Sequence, residues 1–138
     1  MKEESFRRSL ALTGLLGALA VALGALGAHA LKNKMQAGLI TEDQLGGFET
    51  GVKYHLFHVL AMLLVLLLRK QSERGSYRAA FYFFLSGILF FSGSLYLLCT
   101  RELLGAPWLK ALGPVTPVGG VLLIAGWCCL CAPLFNKR

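Results

Sequence analysis

Four apolar runs, each close to the ~20 residues that cross a bilayer's hydrocarbon core, constrain this chain more than any other feature. They cover about residues 10–31, 51–68, 79–98 and 117–134, and the charged residues collect in the breaks between them. A backbone inside hydrocarbon must satisfy its own N–H and C=O groups, which an α-helix does within one segment. The expected fold is therefore all-α: an integral membrane four-helix bundle forming a single domain over residues 1–138. Composition agrees. Of the 138 residues 56% are hydrophobic and only 15% charged, against about 45–50% and ~25% in soluble domains. The first run, preceded by Arg7 and Arg8 and ending near Ala28-His29-Ala30, resembles a secretory signal. It is longer than the about 7–15 apolar residues of a signal core, and reads as a retained span.

The formal net charge is +7. The basic residues lie at the ends of apolar runs, where they anchor helices and set topology rather than forming a nucleic-acid footprint. The N-terminal tail (Lys2, Arg7, Arg8), the second connection (Arg69, Lys70, Arg74, Arg78) and the C-terminus (Lys137, Arg138) hold nine of the 14 Lys and Arg; the first (Lys32, Lys34, Lys53) and third (Arg101, Lys110) connections hold five. On the positive-inside rule both termini are cytoplasmic. Tyr54, Tyr96 and Trp108 then fall near the outer interface, and Tyr77 and Tyr82 near the inner one.

The short second connection predicts a tight antiparallel pair of helices two and three. In the longer first connection, Thr41-Glu42-Asp43-Gln44 reads as a capping box that starts a helix. Gly46 and Gly47 leave a bend there as open as a continuous rod. Small residues predict close helix packing, since lipid offers no hydrophobic drive for association. Gly17, Gly24 and Ala28 mark a face of the first span, Ser86, Gly87, Gly93 and Ser94 the third, and Gly119, Gly120 and Gly126 the fourth. Thr116 is the expected N-cap of the last helix, with Pro117 at its first position.

Candidate chemistry lies toward one side of the membrane. His29, His55 and His58 are the three histidines of the chain, and the i, i+3 spacing of the latter two puts them on one helical face. Ionisable groups inside spans count as functional-site candidates, and imidazole is the commonest metal ligand. His29, His55, His58 and Glu49 are the candidate metal ligands; the alternative is histidines that hydrogen-bond across the bundle. Glu49 and Lys53 have the favourable i, i+4 order for an ion pair. Cys128, Cys129 and Cys131 lack the histidine partners of a zinc site; with Cys99 they read as apolar packing residues. No nucleotide-binding glycine loop, nucleophile elbow or H-E-x-x-H pattern occurs in the sequence, and the identity of any cofactor stays open.

Four motifs carry a family resemblance: Gly24-Ala25-Leu26-Gly27-Ala28-His29-Ala30-Leu31; Phe48-Glu49-Thr50-Gly51-Val52-Lys53-Tyr54-His55 with His58; Phe91-Ser92-Gly93-Ser94-Leu95-Tyr96; and Gly113-Pro114-Val115-Thr116-Pro117-Val118-Gly119-Gly120 with Gly126-Trp127. In this order they resemble the small membrane proteins grouped as domain of unknown function 423, related to the eukaryotic transmembrane protein 256 group. The resemblance implies a four-helix protein of the bacterial cytoplasmic membrane and implies no activity. It also implies that His29, Glu49, Lys53, His55, His58, Tyr96 and Thr116 converge in the outer half of the bundle, as a candidate ligand-binding site or a polar packing cluster. Three functions follow as expectations. The first is a non-catalytic membrane component or scaffold, with a membrane-protein partner or a second copy of itself. The second is small-ligand or metal binding or transport through the His/Glu cluster. The third, an intramembrane enzyme with His55 or His58 as base, requires a lipid-open pocket beside those rings.

Overall fold

The computed structural model describes residues 3–72 and 74–135; Lys2, Lys137 and Arg138 of the charge argument lie outside them. Four helices long and apolar enough to cross a membrane are present. We label them α1 (Glu3–Gln36), α2 (Glu42–Gln71), α3 (Gly75–Thr100) and α4 (Val115–Phe135). Each expected run lies inside one helix. The helices outreach the runs because polar residues at the membrane edge also take helical form: Glu3 and Glu4 begin α1, and Arg69 and Lys70 end α2, each charge suiting the helix dipole at its end.

The connections follow from local chemistry. Thr41 and Gln44 form the expected reciprocal capping box, the Gln44 amide donating to Thr41 Oγ1 at 3.2 Å and the Thr41 amide to Gln44 Oε1 at 2.8 Å. From there α2 runs unbroken past Gly46 and Gly47. Helix α1 ends with Gly38 at φ +73°, Gly38 N–H donating to Met35 O and Leu39 N–H to Lys34 O. Helix α3 ends the same way at Gly105, φ +63°, through Glu102 O and Arg101 O. This paired closure needs a left-handed residue just past the helix, which glycine adopts without steric cost. A 3-10 turn, Pro107–Leu112, then lays Trp108 outward at 72% exposure before α4 begins, as an interfacial aromatic should.

Packing runs in chain order: α1 against α2, α2 against α3, α3 against α4. Half of the apolar window of α2 is buried, against 17% for those of α1 and α4, so α2 is the central helix. The α1 face against it is Thr13, Gly17, Ala20, Gly24, Gly27 and Leu31, alternating steps of four and three residues, the spacing of a left-handed supercoil seam. A methyl group on Gly17, Gly24 or Gly27 would stand 3.4, 3.3 or 3.3 Å from Val59, Val52 or Phe48. Ala28, expected on this face, is exposed; eleven residues from Gly17 it falls one position beyond Gly27, which takes the place instead.

The α3–α4 seam is closer. A methyl on Gly119 would collide with the Phe91 backbone, one on Gly87 with Leu123, and one on Gly126 would lie 2.6 Å from the Phe84 ring. Gly93 has open space instead. Near the other end of α3, Gly47 and Gly51 let Cys99 and Tyr96 lie directly on α2, a methyl on either standing 2.7 Å from Cys99 Sγ or 3.0 Å from Tyr96. Two apolar clusters result. One, around Phe48, Val52, Leu31 and Cys99, fills the half nearer the capping box. The other, around Val59, Met62, Val65, Phe81, Phe84 and Leu123, fills the half nearer the α2–α3 turn.

Candidate functional site

His55 and His58 lie between the two apolar clusters, one turn apart on α2 and both buried. A polar side chain this far inside hydrocarbon needs partners, and α2 itself, α3 and α4 supply three of the four these two rings need. The His58 Nδ1–H donates to the Tyr54 carbonyl at 2.7 Å, and its Nε2 accepts the Trp127 indole N–H at 3.2 Å. Because indole can only donate, this arrangement fixes the His58 proton on Nδ1. The ring also meets Phe84 and Trp127 at centroid separations of 5.5 and 6.1 Å, so it ties α2 to α4 across a residue of α3.

His55 is tied on one side only. Its Nδ1 lies 3.2 Å from the Tyr96 hydroxyl, while its Nε2 is buried without a partner among the described residues. Leaving such a group unsatisfied costs about 1–3 kcal/mol. Tyr96, expected at the interface, instead turns inward, its ring 4.9 Å from that of Phe48; the contact at Gly51 aims it there. Thr116 is also placed differently from expectation. The last helix begins at Val115, so Thr116 lies inside it and its hydroxyl pairs with Ser94 at 2.7 Å. Ser94 bonds the Phe91 carbonyl as well, at 2.9 Å. Pro117 lies in the first turn, where its missing N–H leaves no bond unmade.

The remaining candidates do not join this layer. His29, Glu49 and Lys53 are exposed, and no ion pair forms between Glu49 and Lys53 among the described residues. No group of three or more His, Cys, Asp or Glu side chains among the described residues is placed to hold a metal ion. The four proposed ligands are thus divided, His55 and His58 inside the bundle and His29 and Glu49 outside. Cys99 is buried beside Tyr96's helix face, Cys129 is half-buried, and all four cysteines are free. Sequence reasoning missed Tyr54 and Trp127 as partners of His58. It also missed two wide helical turns, at Gly27–Leu31 in α1 and Ile88–Ser92 in α3; such turns recur at functional sites, and the second lies beside the histidine layer.

Two lipid-facing hollows reach these rings. A shallow one over α2 is lined by Tyr54, Phe57, His58, Leu64 and Trp127. A deeper one, of about 580 Å³, lies between α1 and α3 with His55 and Tyr96 among its walls. It exists because α1 packs on α2 with little contact to α3.

Comparison with known proteins matches these features to one group. Residues 23–120 match the model of the family described as "Protein of unknown function (DUF423)". The chain is 41% identical over 110 residues to UPF0382 membrane protein YwdK of Bacillus subtilis, covering 79% of this chain and 80% of that protein. It is 38% identical over 126 residues to UPF0382 membrane protein SAB0533 of Staphylococcus aureus, covering 88% and 93%. With UPF0382 inner membrane protein YgdD of Escherichia coli it shares 37% over 122 residues, covering 88% and 84%. No solved structure matches. The matched segment holds all of α2 and α3 and all of the histidine layer except Trp127, and the chain belongs to the DUF423 family of membrane proteins.

Proposed function

We propose that this protein is a non-catalytic component of the bacterial cytoplasmic membrane, with both termini cytoplasmic, acting as a scaffold or subunit for another membrane protein or a second copy of itself. The observation that carries this reading is the use of the interior polar groups as joints. His58 is bonded through both ring nitrogens to Tyr54 and Trp127, and Ser94 is bonded to Thr116. Groups held this way fix helix rotation, and a proton or metal role for His58 at Nε2 would have to displace the Trp127 N–H. The outward face of α1, with Leu15 and Val21 at 70% and 62% exposure, remains for lipid or a partner.

Native mass spectrometry of the protein released directly from its own membranes tests this. A complex of fixed stoichiometry, with another membrane protein or with a further copy, is the expected result; a monomer carrying only lipid would overturn it. The competing metal reading has its own check, elemental analysis under metal-retaining conditions. Less than stoichiometric metal is expected, whereas near-stoichiometric metal lost in both His55→Ala and His58→Ala would replace the scaffold reading with metal binding.

A further inference from the structure

The deeper hollow differs from an ordinary gap between lipid-facing helices. Its α1 wall is Leu12, Leu16, Leu19 and Leu23, its α3 wall runs from Tyr82 to Tyr96, and His55 of α2 forms part of its floor. None of the lining residues is charged. His55 is only 2% exposed, and its Nε2 has no partner among the described residues. If Tyr96 donates its hydroxyl hydrogen to Nδ1, one group in this pair lacks a partner; the reverse arrangement would leave both the phenol hydrogen and Nε2 unpaired. The ring therefore carries a covered Nε2–H that needs an acceptor; an acceptor entering from the hollow must part the side chains over it, and must be uncharged to enter an apolar groove.

Depth narrows the choice. At about 1.5 Å per residue, the fourteen residues from His55 to Arg69 span about 21 Å. Arg69 marks one edge of a hydrocarbon core about 30 Å thick, so His55 lies about 9 Å inside the other edge. A phospholipid keeps its phosphate and esters at the edge. A transmembrane helix from a second copy keeps its backbone carbonyls in its own hydrogen bonds and offers no free acceptor at this depth. A neutral lipid with a carbonyl oxygen on a flat ring and a long apolar tail meets both conditions. The geometry points to a lipid-soluble quinone bound between α1 and α3, one carbonyl oxygen accepting from His55 Nε2–H and the tail lying along the α1 leucines toward Tyr82. Binding alone is inferred, and it stands independently of the scaffold reading.

The probe is a decyl-tailed benzoquinone added to purified full-length protein in phosphatidylcholine nanodiscs, with binding followed by equilibrium dialysis. Saturable binding of one quinone per chain is expected. His55→Phe, which keeps a ring of similar bulk but no donor, is expected to weaken it at least tenfold. Gly93→Leu fills the hollow from a position whose added carbon meets nothing within 4 Å, and should block binding while His55 and the fold remain. A decyl-tailed benzene lacking the carbonyls should bind at least tenfold more weakly. Equal binding of that hydrocarbon, or an equal signal from wild type and a folded Gly93→Leu, would overturn the inference. So would displacement of nothing but phospholipid.

Discussion

The α1–α2 and α3–α4 seams are written in the same small residues yet behave differently. At α3–α4, glycines stand where the facing helix's backbone, a buried leucine or a fully buried ring already occupies the space of a methyl group: Gly119 against Phe91, Gly87 against Leu123, Gly126 against Phe84. At α1–α2, the glycines leave ordinary or slightly tight contacts of 3.3–3.4 Å to valine and phenylalanine side chains. In lipid, where close approach and dispersion replace the hydrophobic effect, the first seam is a locked joint and the second a looser one. That difference leaves α1 free of α3 and creates the hollow above His55.

Replacing Gly119 by alanine should have the largest effect, because its new carbon meets the Phe91 backbone rather than a movable side chain. Overpacking of this kind costs typically 1–3 kcal/mol, about the upper end here. Thermal unfolding in detergent followed by gel-filtration recovery should show a marked loss. Gly126→Ala should follow closely, since the Phe84 ring it meets is fully buried and has nowhere to turn. Wild-type stability in both would mean that the α3–α4 seam is no tighter than the α1–α2 seam.

Trp127→Phe comes next. It keeps an aromatic ring on the seam and removes the N–H that holds His58 Nε2. Hydrogen bonds between membrane helices contribute about 0.6–2 kcal/mol, so a moderate loss of stability is expected. The imidazole nitrogen resonances of His58 should also shift as Nε2 loses its donor. Unchanged resonances would remove His58 from the joint between α2 and α4.

How much of this was legible follows from what periodicity can carry. The four spans, the Thr41–Gln44 cap and the positions of Gly17 and Gly24 were readable because each is a local or single-helix property. The partners of the polar residues were not. His58 meets Trp127 and His55 meets Tyr96 only after glycine contacts at Gly51 and Gly126 have set helix rotation and depth. For the same reason Tyr96 read as an interfacial anchor and Thr116 as a cap, besides being members of the outer cluster, when Tyr96 pairs with His55 and Thr116 with Ser94. His29 and Glu49 shared a side of the membrane with the buried histidines, but sequence carries no information on which way a helix face turns once a neighbour is chosen. The wide turns at Gly27–Leu31 and Ile88–Ser92 left no readable mark.

Gly17→Ala should have the smallest effect and the opposite sign. Its added carbon would stand 3.4 Å from Val59 Cγ1, an ordinary contact that needs no rearrangement. Alanine in a helix interior is favoured over glycine by about 0.5–1 kcal/mol through the entropy of the unfolded chain. In a supercoil seam the methyl also adds dispersion contact with Val59, which is itself buried. The variant should therefore unfold at the same temperature as wild type or slightly higher, measured beside Gly119→Ala in the same detergent. A loss comparable to that of Gly119→Ala would show that α1 is held as closely as α4. It would also mean that the separation of α1 from α3 is not a consequence of looser packing along α2.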